Sequence, residues 1–160
     1  MTSVEASSSW ALAGGAQPPR LPEGVDLPRD RMLVMGILNV TPDSFSDGGR
    51  FLDPGAALDH AQEMLDEGAD LVDLGGESTR PNSTTRISED EEWERIGSII
   101  QRLGASGVVV SVDTLHALTA RRAADAGAAI INDVSGGRWD PQMNEAVAST
   151  SCAYVIQHYR

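Results

Sequence analysis

The 160-residue chain carries a formal charge of −12 and a sequence pI near 4.5, which argues against nucleic acid or an anionic membrane surface as its partner. All twelve basic residues are arginine, so lysine Schiff-base and P-loop chemistry have no residue here to carry them. The single cysteine, Cys152, excludes an internal disulfide and a cysteine-built zinc site. Its apolar neighbours suit a small buried thiol. No apolar run reaches the roughly 18 residues of a membrane span, and the N-terminus lacks a charged-then-apolar signal pattern. A cytoplasmic protein with no membrane partner is expected.

Residues 1–30 are Ser, Ala, Gly and Pro with scattered charge and no period. Such a composition buries too little apolar surface to offset the entropy of ordering, so a flexible leader is predicted, with the folded unit over 31–160. A short extended piece at 25–27 precedes the first core strand, predicted at 32–38. That strand runs into Asn39-Val40-Thr41-Pro42-Asp43-Ser44-Phe45-Ser46-Asp47-Gly48-Gly49, a polar loop with an amide, two carboxylates and an aromatic ring. Sites in α/β folds are built where strands end in this way. Thr-Pro-Asp-Ser alone is equally good turn chemistry.

Asp53-Pro54 supplies an N-cap and an N1 proline for a helix with Leu58, Ala61 and Leu65 on one face, closed by Gly68. A short strand at 69–74 leads to Gly75-Gly76-Glu77-Ser78-Thr79-Arg80-Pro81-Asn82. Ser88 with Glu91 reads as a capping box, and Trp93, Ile96, Ile100 and Leu103 form that helix's buried stripe up to Gly104. A strand at 107–112 ends in Asp113-Thr114, and a helix over 115–126 stops at Gly127. The next strand, 128–131, ends in Asn132-Asp133. Asp140-Pro141 opens a helix to about Ser149, and a fifth strand at 153–156 ends in Gln157-His158-Tyr159-Arg160.

Mostly apolar strands joined by helices imply a parallel sheet. Right-handed crossovers put all carboxyl ends on one side, where Asn39, Asp73, Asp113, Asn132 and His158 converge. Both a doubly wound sheet and a (β/α)8 barrel fit. A barrel typically needs about 250 residues, and the Gly-x-Gly-x-x-Gly fingerprint is missing after the first strand, so spacing alone leaves the architecture open.

Asn39 could bind Mg²⁺ through its amide oxygen or simply satisfy its own loop. Asp113 follows a run of valines, so its carboxylate either caps the next helix or meets a donor-rich heterocycle. Asn132 has both a donor and an acceptor to satisfy. Together the acid and the amide match the edge of an aminopyrimidine-type ring. Arg80 has the fork geometry for phosphate. Asp73, just before a Gly-Gly turn, reads as structural. His60 and His116 read as helix-surface residues, and no ligand spacing supports His158 as a metal ligand.

Four segments, 36–49, 73–81, 111–114 and 131–137, together resemble dihydropteroate synthase, in that family's order and roughly its spacing. The similarity runs from Met32 to the last residue and is to actinobacterial members in particular. The resemblance implies a pterin-type (β/α)8 TIM barrel, present here as about its first five strands. It also implies that 6-hydroxymethyl-7,8-dihydropterin pyrophosphate is joined to p-aminobenzoate, the folate-building step that sulfonamides block. By position, Asp113 and Asn132 look like pterin contacts, and Asn39 resembles the residue near Mg²⁺ and the pyrophosphate. Asp43, Phe45 and Asp47 match the first catalytic loop, and Thr79, Arg80 and Pro81 the second. A homodimer is expected of the full-length protein. The family's third pterin-contacting aspartate, its lysine and its Arg/His pair have no counterpart in these residues. Two alternatives therefore stand: a pterin-dependent methyltransferase domain sharing the Asp/Asn pair, and a non-catalytic partial barrel that binds pterin.

Overall fold

The computed structural model describes residues 21–23, 25–28, 30–41, 53–77 and 86–157. Among these, strands and helices alternate: β1 Met35–Asn39, α1 Pro54–Asp66, β2 Leu71–Gly75, α2 Glu89–Ala105, β3 Val110–Asp113, α3 Ala117–Asp125, β4 Ile130–Asp133, α4 Met143–Ala148 and β5 Ala153–Ile156. The strands are all parallel and lie in the order β1-β2-β3-β4-β5. A doubly wound sheet reverses its strand order at a switch point. This sheet does not, so its order is that of a (β/α)8 barrel, of which five strands are present.

Three of the first four strands are joined to their helices by the same device, which explains why they start later than their apolar runs. Gly68, Gly107 and Gly127 have positive φ, a backbone state that glycine enters without steric cost. The next amide in each case turns back to the helix: Ala69 N bonds Met64 O, Val108 N bonds Leu103 O, and Ala128 N bonds Ala123 O. This is the six-to-one closure of a helix C-terminus. Residues that look like strand openings are therefore committed to the preceding helix. β1 starts late for another reason, since Val34 N and O both bond Asp70 instead of a ladder partner.

The helices cover one face of the sheet. Leu38, Val72, Leu74, Val112 and Ile131 meet Ala61, Ile96, Ile100, Ala120 and Met143 in the main core. At α2 the expected cap is present, Ser88 Oγ accepting from Glu91 N at 3.2 Å. The opposite face carries a much smaller apolar cluster, Leu71, Ala129 and Ile130, against which Leu21, Val25 and Ala153 pack. Elsewhere it is open: Ile37 is 61% exposed, and Met35 and Val155 43% each. Among the described residues, no helix is long and apolar enough to cross a membrane.

Candidate active site

Residues in register on adjacent parallel strands project to the same side, and so do residues two apart on one strand. The ladder pairs Asn39 with Gly75, Gly75 with Asp113, Asp113 with Asn132, and Asn132 with Val155. One row across the carboxyl end of the helix-free face thus reads amide, glycine, carboxylate, amide, valine. Glycine in second place keeps the floor of the row low. A Cβ built there would stand 3.4 Å from Asn39 Oδ1 and 3.7 Å from Asp113 Cβ, so its absence leaves open space between the two polar side chains.

Asp73, expected at the tip, lies one layer deeper, in register with Ile37 and Ser111. It is buried and accepts a hydrogen bond from Ser111 Oγ at 2.6 Å and another from Asn132 Nδ2 at 3.1 Å. Gln157 Nε2 donates to Asn132 Oδ1 at 2.8 Å. At the start of α3, Thr114 and Asp140 accept from backbone amides. His116 N donates to Thr114 Oγ1 and Ala117 N donates to Asp140 Oδ2. Asp140 is therefore a long-range cap for α3, while α4 begins three residues after it, at Met143.

The expectation of a surface position for His116 is corrected by the structure. Its side chain is 16% exposed, with Nε2 3.3 Å from the buried Glu77 carboxylate and Nδ1 4.0 Å from Glu89. It lies at the N-cap of α3, where the chain crosses back beneath the β2 exit. Glu77 also accepts from Arg86 Nη1 at 2.7 Å, and the Arg86 guanidinium lies 4.5 Å from the Trp139 ring centroid. Glu77 and Arg86 flank the second loop, so this cluster fixes both of its ends to the β3 and β4 exits. The sequence signal available was the pairing of an acidic and a basic residue nine apart across a Ser/Thr-rich loop.

Below the cluster, Glu92 is fully buried on α2 and accepts from Thr114 Oγ1 at 2.8 Å. Burial pushes its carboxyl pKa upward, and nearby Glu77 adds to this; the Thr119 and Thr114 hydroxyls and His116 pull the other way. An acid whose pKa is raised by folding binds its proton more tightly in the native state. Its contribution is therefore greatest below the unfolded value of 4.5 and is lost as pH rises through the folded pKa. Glu92→Gln should remove that loss, gaining stability relative to wild type as pH rises from about 4 to 8. Asp70, whose pKa is lowered chiefly by its bond to Arg31, has the opposite sign and cancels in the comparison. Parallel thermal melts across this range would test it, and identical pH profiles would contradict it.

A Mg²⁺ ion suits the donor chemistry of the row, since Asn39 offers a hard amide oxygen beside the space over Gly75. Among the described residues, no group of three or more His, Cys, Asp or Glu could hold a metal ion. Asn39 would then be the one described protein ligand, with water and phosphate oxygens completing the shell, a common arrangement for this ion. Asp43, Phe45, Asp47, Thr79, Arg80, Pro81 and His158 lie outside the described residues.

A parallel sheet in barrel order, with a polar row on its inner face at the carboxyl ends, defines an α/β-barrel protein, a fold whose sites are built at that end. Residues 35–160 match the family of pterin binding enzymes, and the chain belongs to that family. It is 51% identical over 127 residues to dihydropteroate synthase of Mycobacterium leprae, covering 79% of this chain and 44% of that protein. With the Bacillus subtilis enzyme of the same name it shares 50% over 133 residues, 82% of this chain and 46% of the other. The structure of Xanthomonas albilineans dihydropteroate synthase with 4-aminobenzoic acid aligns with a TM-score of 0.74 at 47% identity, covering 81% of this chain and 47% of that one. The same enzyme in complex with 7,8-dihydropteroate aligns equally well, at 42% identity over 86% of this chain and 49% of that one. The chain thus spans about half the length of these relatives.

Proposed function

We propose that this chain supplies the pterin-gripping part of a dihydropteroate synthase, which joins 6-hydroxymethyl-7,8-dihydropterin pyrophosphate to p-aminobenzoate and releases pyrophosphate. The observation that carries this reading is the row Asn39, Gly75, Asp113, Asn132 on the helix-free face. A carboxylate and an amide side by side offer acceptors and a donor to the edge of a 2-amino-4-oxopyrimidine ring. The glycine leaves room for that ring's flat body. The relatives' names and the two ligands in the Xanthomonas structures support the same substrates.

Asp113 and Asn132 hold the pterin, and Asn39 stands toward the pyrophosphate. Mg²⁺, when bound, would neutralise charge on the departing pyrophosphate, worth several kcal/mol in such sites. To Asp43, Phe45 and Asp47 of the first loop, and Thr79, Arg80 and Pro81 of the second, this reading assigns recognition of p-aminobenzoate and exclusion of water from the reacting carbon. Arg80 contributes a fork suited to an anion. The cytoplasmic location and the homodimer of the full-length protein belong to the same reading.

Calorimetric titration with 6-hydroxymethylpterin, which lacks the leaving group, tests binding apart from turnover. The wild-type chain should bind. Gly75→Val should weaken binding by at least tenfold, about 1.4 kcal/mol, by filling the floor of the row. Unchanged affinity in that variant, or no binding by a folded wild type, would overturn the assignment.

A further inference from the structure

We infer that Asp73 is a positioning residue that locks the Asn132 side-chain amide in one of its two flip states, with Gln157 completing the hold. The amide is buried and gripped at both ends, its nitrogen donating to Asp73 Oδ2 at 3.1 Å and its oxygen accepting from Gln157 Nε2 at 2.8 Å. An amide has two N–H donors and two lone pairs on oxygen. One of each is committed to the protein, so one N–H and one lone pair remain for a ligand. Flipping the amide would set its oxygen against the Asp73 carboxylate, which has no donor to offer, so the flipped state is strongly disfavoured. Gln157, an amide itself, takes the orientation that Asp73 sets.

Asp73 is itself held by Ser111 Oγ at 2.6 Å. A hydroxyl donor on one oxygen leaves the other aimed at Asn132. The string Ser111–Asp73–Asn132–Gln157 thus spans β2, β3, β4 and the residue after β5. Ser111 and Asp73 lie one layer beneath the row, beyond the reach of a ligand resting on it, while Asn132 stands in the row and Gln157 follows β5. The consequence is selectivity for the donor–acceptor order of the ring edge. A pterin whose edge matches the locked amide is accepted, and a ring with donor and acceptor exchanged meets like against like.

This inference rests on the reading of Asn132 as a pterin contact, but its first readout does not. In the intact free chain, the Asn132 side-chain NH₂ should give two well-separated proton resonances, one protected from exchange. Asp73→Ala should collapse that separation and protection. Asp73→Asn should largely retain it, because its amide oxygen accepts from Asn132 while its NH₂ turns to Ser111 Oγ. An unaltered Asn132 NH₂ pair in Asp73→Ala would overturn the lock, whatever the ligand does.

The second readout is a double-mutant cycle on 6-hydroxymethylpterin affinity. Asp73→Ala should weaken binding about tenfold in wild type and leave it unchanged in an Asn132→Ala background. Equal losses in both backgrounds would show that Asp73 does not act through Asn132. A wild type that keeps the locked NH₂ signature yet binds no pterin would remove the functional reading while upholding the lock.

Discussion

Asp113→Ala is expected to weaken pterin binding about a hundredfold, roughly 2.7 kcal/mol, with the fold retained. Asp113 ends β3 in register between Gly75 and Asn132, the place from which a carboxylate can accept two N–H groups of one ring edge. Hydrogen bonds to a charged acceptor contribute about 1.5–3 kcal/mol each, and truncation also leaves ring donors without a partner. Asp113→Asn should fall in between, because one acceptor survives and the charge does not. Calorimetry on variants with matched circular dichroism would measure this. Unchanged affinity in Asp113→Ala would show that the ring is held elsewhere.

The second large effect is on stability. Asp133 is fully buried, and its two oxygens accept from Ser135 N at 2.8 Å, Gly137 N at 2.6 Å and Tyr154 Oη at 2.8 Å. It therefore folds the β4–α4 loop around itself and ties that loop to β5. The Tyr154 hydroxyl responds with a strongly raised pKa, owing to burial and then to the bond with Asp133. Asp133→Ala would strand three donors around a fully buried position, one of those bonds buried and two part-buried. At about 1–3 kcal/mol for an unsatisfied buried group, partly relieved by relaxation, a loss of about 3 kcal/mol is expected. For a chain of this size that lowers the melting temperature by roughly 6–12 °C. A shift under about 2 °C would mean that water or other protein groups replace the carboxylate.

Much of the fold was legible because the code for it is local. The alternation of apolar runs with capped, glycine-terminated helices marks every element near its true place, and Ser88 caps α2 as its spacing requires. What spacing could not decide was barrel against doubly wound order, because that choice lies in which strands pair and no residue announces its partner. The register between Asp113 and Asn132 was legible for a simpler reason, since each ends its apolar run at the same height. Asp73 was read as structural but placed at the strand tip, His116 was misread as a surface residue, and Asp133 was passed over. Their side-chain partners are 20 or more residues away, and a buried carboxylate looks the same in sequence whether it holds a turn or a neighbouring strand's amide.

The strand order also has a consequence for how the molecule assembles. Each strand lies beside its immediate predecessor, so every ladder closes over one intervening helix and no pairing waits for a distant segment. Short-range closure is fast and costs little chain entropy. As the chain leaves the ribosome, each βα unit therefore finds a prepared edge to dock on. The pair proposed to hold the ring is split between β3 and β4, so it is complete only with the third docking step. A ligand could reward the completed arrangement but would have nothing to hold in the first two.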